Sequence, residues 1–161
     1  MLIEVYDDDA PAVVWLFCGR TNVDDDHRRW LSSMHRLDKV AVARGCAAAL
    51  LVIDADNPPP PRQARASIRA LVTAIEGKCP LAVVTSSSVA RTIIAGLQMA
   101  KIVGFALKGF GDVDAAIQWL AAQPEAPTTA SATLRNLVAE ARAKERFRAS
   151  QAGAPTGDAT A

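Results

Sequence analysis

AAALLVIDADNPPPPR, Ala47 to Arg62, is an abrupt junction: an apolar run, then carboxylates, then consecutive prolines. The run from Ala47 to Ile53 is short for a helix and has no polar face, which is the pattern of a strand buried on both sides. Asp54, Asp56 and Asn57 end it with side chains that favour turns. Pro58 to Pro61 have no amide hydrogen to give to a ladder but suit the first turn of a helix. A helix is therefore predicted from about Pro61, with the stripe Ala64, Ile68, Leu71, Val72 and Ile75 and a stop at Gly77. A doubly buried strand that feeds into a helix is the repeating unit of a parallel α/β sheet.

Working outward, the same two periods alternate. Leu2 to Tyr6 and Ala12 to Cys18 read as strands joined by the turn DDDAP, a hairpin. Trp30, Leu31, Met34, Leu37, Val40 and Ala41 form one face of a helix that opens on Asp24, Asp25 and Asp26 and ends at Gly45. Leu81 to Thr85 is a further strand. Ser86 to Ser88 then supply cap oxygens for a helix carrying Val89, Ile93, Ile94 and Leu97. Phe105 to Leu107 reads as a short fifth strand, and Asp112 caps a helix with Val113, Ala116, Ile117 and Leu120 inward. The order ββαβαβαβα predicts an α/β fold, a mostly parallel sheet flanked by helices, with one antiparallel pairing from the hairpin. After Pro124 the composition shifts to Ala, Thr, Ser and Pro. The domain is thus drawn as residues 1–123. Residues 124–161 are drawn as a linker, an extra basic amphipathic helix from about Ala130 to Ala149, loosely packed, and a disordered tail.

Composition excludes several classes. The 161 residues carry a net charge of +1, which argues against a nucleic-acid binder. No apolar run approaches the roughly 20 residues needed to span a bilayer. The start MLIEVYDDD has acids where a secretory signal has bases, so a soluble, cytoplasmic protein is expected. Cys18, Cys46 and Cys79 are odd in number and lie in or beside apolar stretches, as buried free thiols do. No GxSxG, GxxxxGK[ST] or GxGxxG is present. Gly104, Gly109 and Gly111 lack the Lys-Ser that would follow in a phosphate loop, so no cofactor is implied.

Three stretches carry a family resemblance: ALLVIDADNPPPPRQARAS, in which an Asp ends the central strand; LAVVTSSSVART, a strand with a Ser-rich cap and an Arg one turn on; and GFGDVDAAIQWLAA, an acidic cap before the last helix of the domain. With the strand order, they make residues 1–123 resemble the STAS domain superfamily, in particular divergent SpoIIAA-like (STAS/CRAL-TRIO-like) proteins. The resemblance implies a bacterial, non-enzymatic regulatory module that binds a protein partner, such as a kinase or other regulator, through the loop after the central strand and the adjacent helix. In the anti-sigma-factor-antagonist branch that loop carries a phosphorylatable Ser; here Asp54 to Arg62 contains no Ser or Thr.

The residues nominated for partner binding are Asp54, Asp56, Arg62, Arg65 and Arg69, the arginines forming a basic stripe at spacings of three and four. Thr85, Ser86, Ser87, Ser88 and Arg91 form a candidate anion or phosphorylation site, with simple capping as the alternative. His27 and His35, eight apart on one helix, do not have metal-ligand spacing; Asp24 and Asp38, each three residues from a histidine, permit weak local ion pairs. Two other functions remain open. One is a small-molecule or lipid-binding domain with its ligand near Thr85 and Phe105. The other is a Mg²⁺-dependent phosphoryl-transfer enzyme using Asp54 and Asp56, with Thr85 and Lys108 in support.

Overall fold

The computed structural model describes residues 1–19, 23–57, 66, 70, 73–77, 79–99 and 103–152. Its elements are β1 (Leu2–Asp7), β2 (Ala12–Phe17), α1 (Val23–Arg44), β3 (Ala48–Ile53), β4 (Leu81–Thr85), α2 (Ser88–Met99), β5 (Leu107–Phe110), α3 (Val113–Ala121) and α4 (Ala130–Ala152). Of the helix predicted from Pro61, Ala66, Ala70, Thr73 and Ala74 are described and helical. Most of its apolar stripe, and Arg62, Arg65 and Arg69, lie outside the described residues.

The sheet runs β1-β2-β3-β4-β5, with β1 antiparallel to β2 and all later pairs parallel. The hairpin turn is held by the Asp7 carboxylate, which accepts from the amides of Asp9 (2.9 Å) and Ala10 (3.0 Å). At the end of α1, Gly45 adopts φ +70°, a conformation that closes helices and that side chains resist.

From β2 to β5 each crossover advances one strand in the same direction, and the described crossover helices α1 and α2 lie on one face of the sheet, as right-handed connections require. On that face Trp30, Met34, Leu37 and Ala41 of α1 pack on Trp15, Leu51, Val83 and Leu107, with Ile94 of α2 at the margin. A buried polar chain crosses this layer: Trp15 Nε1–H donates to Ser33 Oγ (2.9 Å), and Ser33 donates to Glu4 (2.7 Å). The opposite face consists of the alternate residues Val14, Leu16, Leu50, Val52, Ala82 and Val84. Left bare, it would forfeit about 25 cal/mol for each Å² of apolar surface. It is covered by α3, over β3 to β5, and by α4, over β1 and β2.

This arrangement corrects the boundary drawn near Gln123. Far from being a loosely packed extension, α4 buries Ala130, Leu134, Leu137 and Ala141, the spacing of one helical face, in the same core cluster as the strands. Two of the four contact positions are alanines, so the stripe looks thin when only large side chains are counted. Small residues are what allow the helix to lie close on the sheet.

The fifth strand is also displaced from its expected place. Phe105 is buried in the α1 side of the core before the strand begins, and β5 runs Leu107–Phe110. Lys108 and Gly109 interrupt the apolar pattern there. Gly109 has a packing reason: a Cβ on it would lie 3.2 Å from Arg91 Cα, so α2 approaches β5 where no side chain intervenes.

Candidate functional site

The carboxyl ends of β2, β3, β4 and β5 form one rim, the position at which open α/β sheets present their sites. Asp54 N–H donates to the Phe17 carbonyl (3.0 Å), extending the β2–β3 ladder by one bond. The chain then turns, with Asn57 N–H bonded to the Asp54 carbonyl (3.1 Å) and Asn57 Nδ2 bonded across to the Gly19 carbonyl (3.1 Å). Ile53 and Thr85 are in register, so the Asp54 turn and the serine-rich cap are neighbours at this rim.

Asp54 is not a free carboxylate. Arg142 of α4 reaches it with both terminal nitrogens, at 2.7 and 2.8 Å, and also donates to Glu145 at 2.9 Å. The fork of the guanidinium matches the two carboxylate oxygens. Bonding to Asp54, and then to Glu145, holds Arg142 more firmly in its charged form against the opposing effect of burial. Both Asp54 oxygens are therefore already occupied, and Asp56 stands exposed beyond the turn. The pair does not fit a Mg²⁺ site. Among the described residues no group of three metal-ligating side chains converges.

At the next strand end, Thr85 is buried and its Oγ1 accepts from Ser87 N–H (3.2 Å). Ser87 Oγ accepts from Ala90 N–H (3.1 Å), which makes Ser87 the cap of α2. Arg91 does not point outward as a counter-charge for a ligand on this cap. Its Nη1 turns back to the Thr85 carbonyl at 2.5 Å and lies over Gly111. Ser86 and Ser88 remain exposed. Of the nominated residues, the structure thus brings Asp54, Asp56 and Thr85 to Arg91 onto one rim. It adds Arg142 and Glu145 of α4, neither of which is nominated from the sequence. The overlooked signal was the spacing Ala130, Leu134, Leu137, Ala141, which fixes the buried side of α4 and sets Arg142 at its margin.

Cys18, at the end of β2, is buried, and its thiol is pushed up to about 11, first by that burial and then by the Glu145 carboxylate. It is the protonated, unreactive form at neutral pH. Cys79 is likewise buried, whereas Cys46 is only half-buried, in contrast to the expectation for all three. His27 is buried against Phe17, ring centroids 5.3 Å apart, while His35 is exposed. Asp38, three residues on from His35, accepts from Gly77 N–H at 2.6 Å. Phe105, with Met34, Leu37 and Ile75, lines a small apolar space of about 10 Å³, the room of one water.

No protein-family model matches the chain, and no curated protein matches it significantly. A solved structure similar to it is that of an uncharacterized protein of the DUF3478 family with a SpoIIAA-like fold from Shewanella loihica PV-4. The two are 18% identical, the match covers 74% of this chain and 92% of that one, and the TM-score is 0.48. Among the described residues no helix is long and apolar enough to cross a membrane.

Proposed function

We propose that the protein is a non-enzymatic, STAS-like regulatory module that binds a partner protein on the strand-end rim and the adjoining face of α2. The observation that carries this reading is the exposure of large apolar side chains directly beside the rim. Val89 is 68% and Ile93 60% exposed, and no residue of α2 is fully buried. They continue from the exposed hydroxyls of Ser86 and Ser88, with Asp56 on the adjacent turn. An apolar centre bordered by polar groups is the anatomy of a protein interface. The internal bonds of Asp54, Thr85 and Arg91 support it indirectly. They hold the rim in one shape before the partner arrives, which reduces the ordering cost of binding. Ser86 and Ser88 are exposed hydroxyls, not engaged in the cap, on which a kinase-type regulator could act, since a phosphate would add roughly two negative charges beside the apolar centre.

The test is capture from an extract of the native host with immobilised protein, comparing wild type, Val89→Asp/Ile93→Asp and the control Val42→Asp, a 58%-exposed residue on α1. One stoichiometric partner retained by wild type and by the control, and lost with the double variant, is the expected result. A partner retained by all three, or none retained by any, refutes this surface.

A further inference from the structure

The edge of β5 faces a groove of about 410 Å³ between α2 and α3. Its floor is backbone. Leu81 N–H donates to the Ala106 carbonyl (2.8 Å), and the parallel register pairs Leu81 with Leu107 and Val83 with Gly109. In a parallel ladder this directs the N–H and C=O of Lys108 toward β4 and those of Leu107 and Gly109 toward the open side. One of these outward groups already has a substitute partner: Leu107 N–H donates to Gln98 Oε1 at 2.8 Å, a side-chain amide standing where the carbonyl of another strand would stand.

The groove's charge has a single sign. Arg91 lines it from α2 and Lys108 from β5, no carboxylate lines it, and neither cation forms an ion pair among the described residues. Arg91 approaches from the α1 side of the sheet and Lys108 from the α3 side, where its ammonium lies 5.4 Å from the centre of the Phe110 ring. Apolar walls are supplied by Met99, 84% exposed, and by Trp119. An extended peptide projects alternate side chains to the two faces of its sheet. On each face this groove offers such a peptide one cation and one apolar surface.

We propose that the β5 edge is a peptide-binding slot, which takes an extended acidic and apolar segment of a partner protein as a sixth strand, by pairing with Leu107 and Gly109. The proposal rests on the interaction-module reading, but at an edge separate from Val89 and Ile93. Main-chain bonds would supply affinity, and the two cations would select acidic sequences. The four residues of β5 span about 13 Å at 3.3 Å per residue, enough to pair with a segment of similar length.

The test uses ¹⁵N-labelled full-length protein and two pools of acetylated, amidated heptapeptides, one drawn from Asp, Glu, Val, Leu and Phe, the other with Lys and Arg replacing the acids. The acidic pool is expected to shift the Leu107 and Gly109 amide resonances and to slow Gly109 amide exchange about tenfold, as a newly bonded amide does. The basic pool should do neither, and Lys108→Glu should weaken or invert the preference. An acidic pool with N-methylated backbone should fail to protect Gly109. Equal response to the two pools, no response at Gly109, or occupation of the groove by decanoate while the peptides have no effect would overturn the slot. Shifts confined to Ser86, Ser88 and Asp56 would overturn it while leaving the rim reading standing. Conversely, partner loss in Val89→Asp/Ile93→Asp protein that still protects Gly109 separates the two surfaces.

Discussion

Replacing Arg142 with methionine removes the two hydrogen bonds to Asp54 and the one to Glu145, while keeping the aliphatic stem that lies on the rim. Hydrogen bonds to charged groups contribute about 1.5–3 kcal/mol when well shielded, whereas fully exposed ion pairs contribute about 0–1 kcal/mol. The side chains of Arg142 and Asp54 are 34% and 23% exposed, between these limits. Water will screen the pair and rehydrate part of what is lost. The net destabilisation is therefore roughly 1–2 kcal/mol, and the unpaired Asp54 and Glu145 carboxylates left near one another act in the same direction. For a chain of this length that lowers Tm by about 2–8 °C. Urea unfolding of wild type, Arg142→Met, Asp54→Asn and the double variant gives the coupling energy directly, expected on the order of 1 kcal/mol. Hydrogen exchange should also quicken in the second half of α4, with β3 unchanged. A coupling below about 0.3 kcal/mol with unaltered exchange in α4 would refute the clasp as a structural element and reduce it to a surface ion pair.

Leu134, with 0% exposure, should cost about 2–5 kcal/mol when changed to Ala, read as a lower urea midpoint; an effect under about 0.5 kcal/mol would mean that α4 is not part of the core. Gly109→Ala should destabilise by roughly 1–3 kcal/mol, since its Cβ must displace Arg91 backbone, and a Tm equal to wild type would refute that close approach. Because the Cys18 thiol is raised from 9 in the unfolded chain to about 11, unfolded protein releases this proton first, and stability should fall as pH rises from 9 through 11. Cys79 acts in the same direction, so Cys18→Ala should make the decline shallower without abolishing it, and urea midpoints identical at about pH 8 and about pH 10.5 would contradict the burial of both thiols.

Most of the sheet and the first helix were legible because their signals are local. An apolar run between turn residues marks β2, β3 and β4. A stripe at spacings of three and four between an acidic first turn and Gly45 marks α1. The rim was legible for the same reason: a strand that stops at Asp54 or Thr85 places those residues at a strand end wherever the strand lies. What Asp54 does there was not. Its partner Arg142 is 88 positions away, on a helix whose own charges give no hint of one neighbour over another.

The local pattern also contained a requirement that it did not resolve. Strands apolar on every residue need cover on both faces, and a sheet whose crossovers all advance in one direction covers only one of them. That a second layer must exist follows from β2 alone, since all six of its residues are buried. Which segment supplies the layer depends on where the chain goes after β5. Only the packed molecule shows α3 over β3 to β5 and α4 over β1 and β2, with Arg142 thereby delivered to Asp54. Burial of one face is dictated residue by residue, but the choice of cover is a competition between whole segments for the same apolar surface.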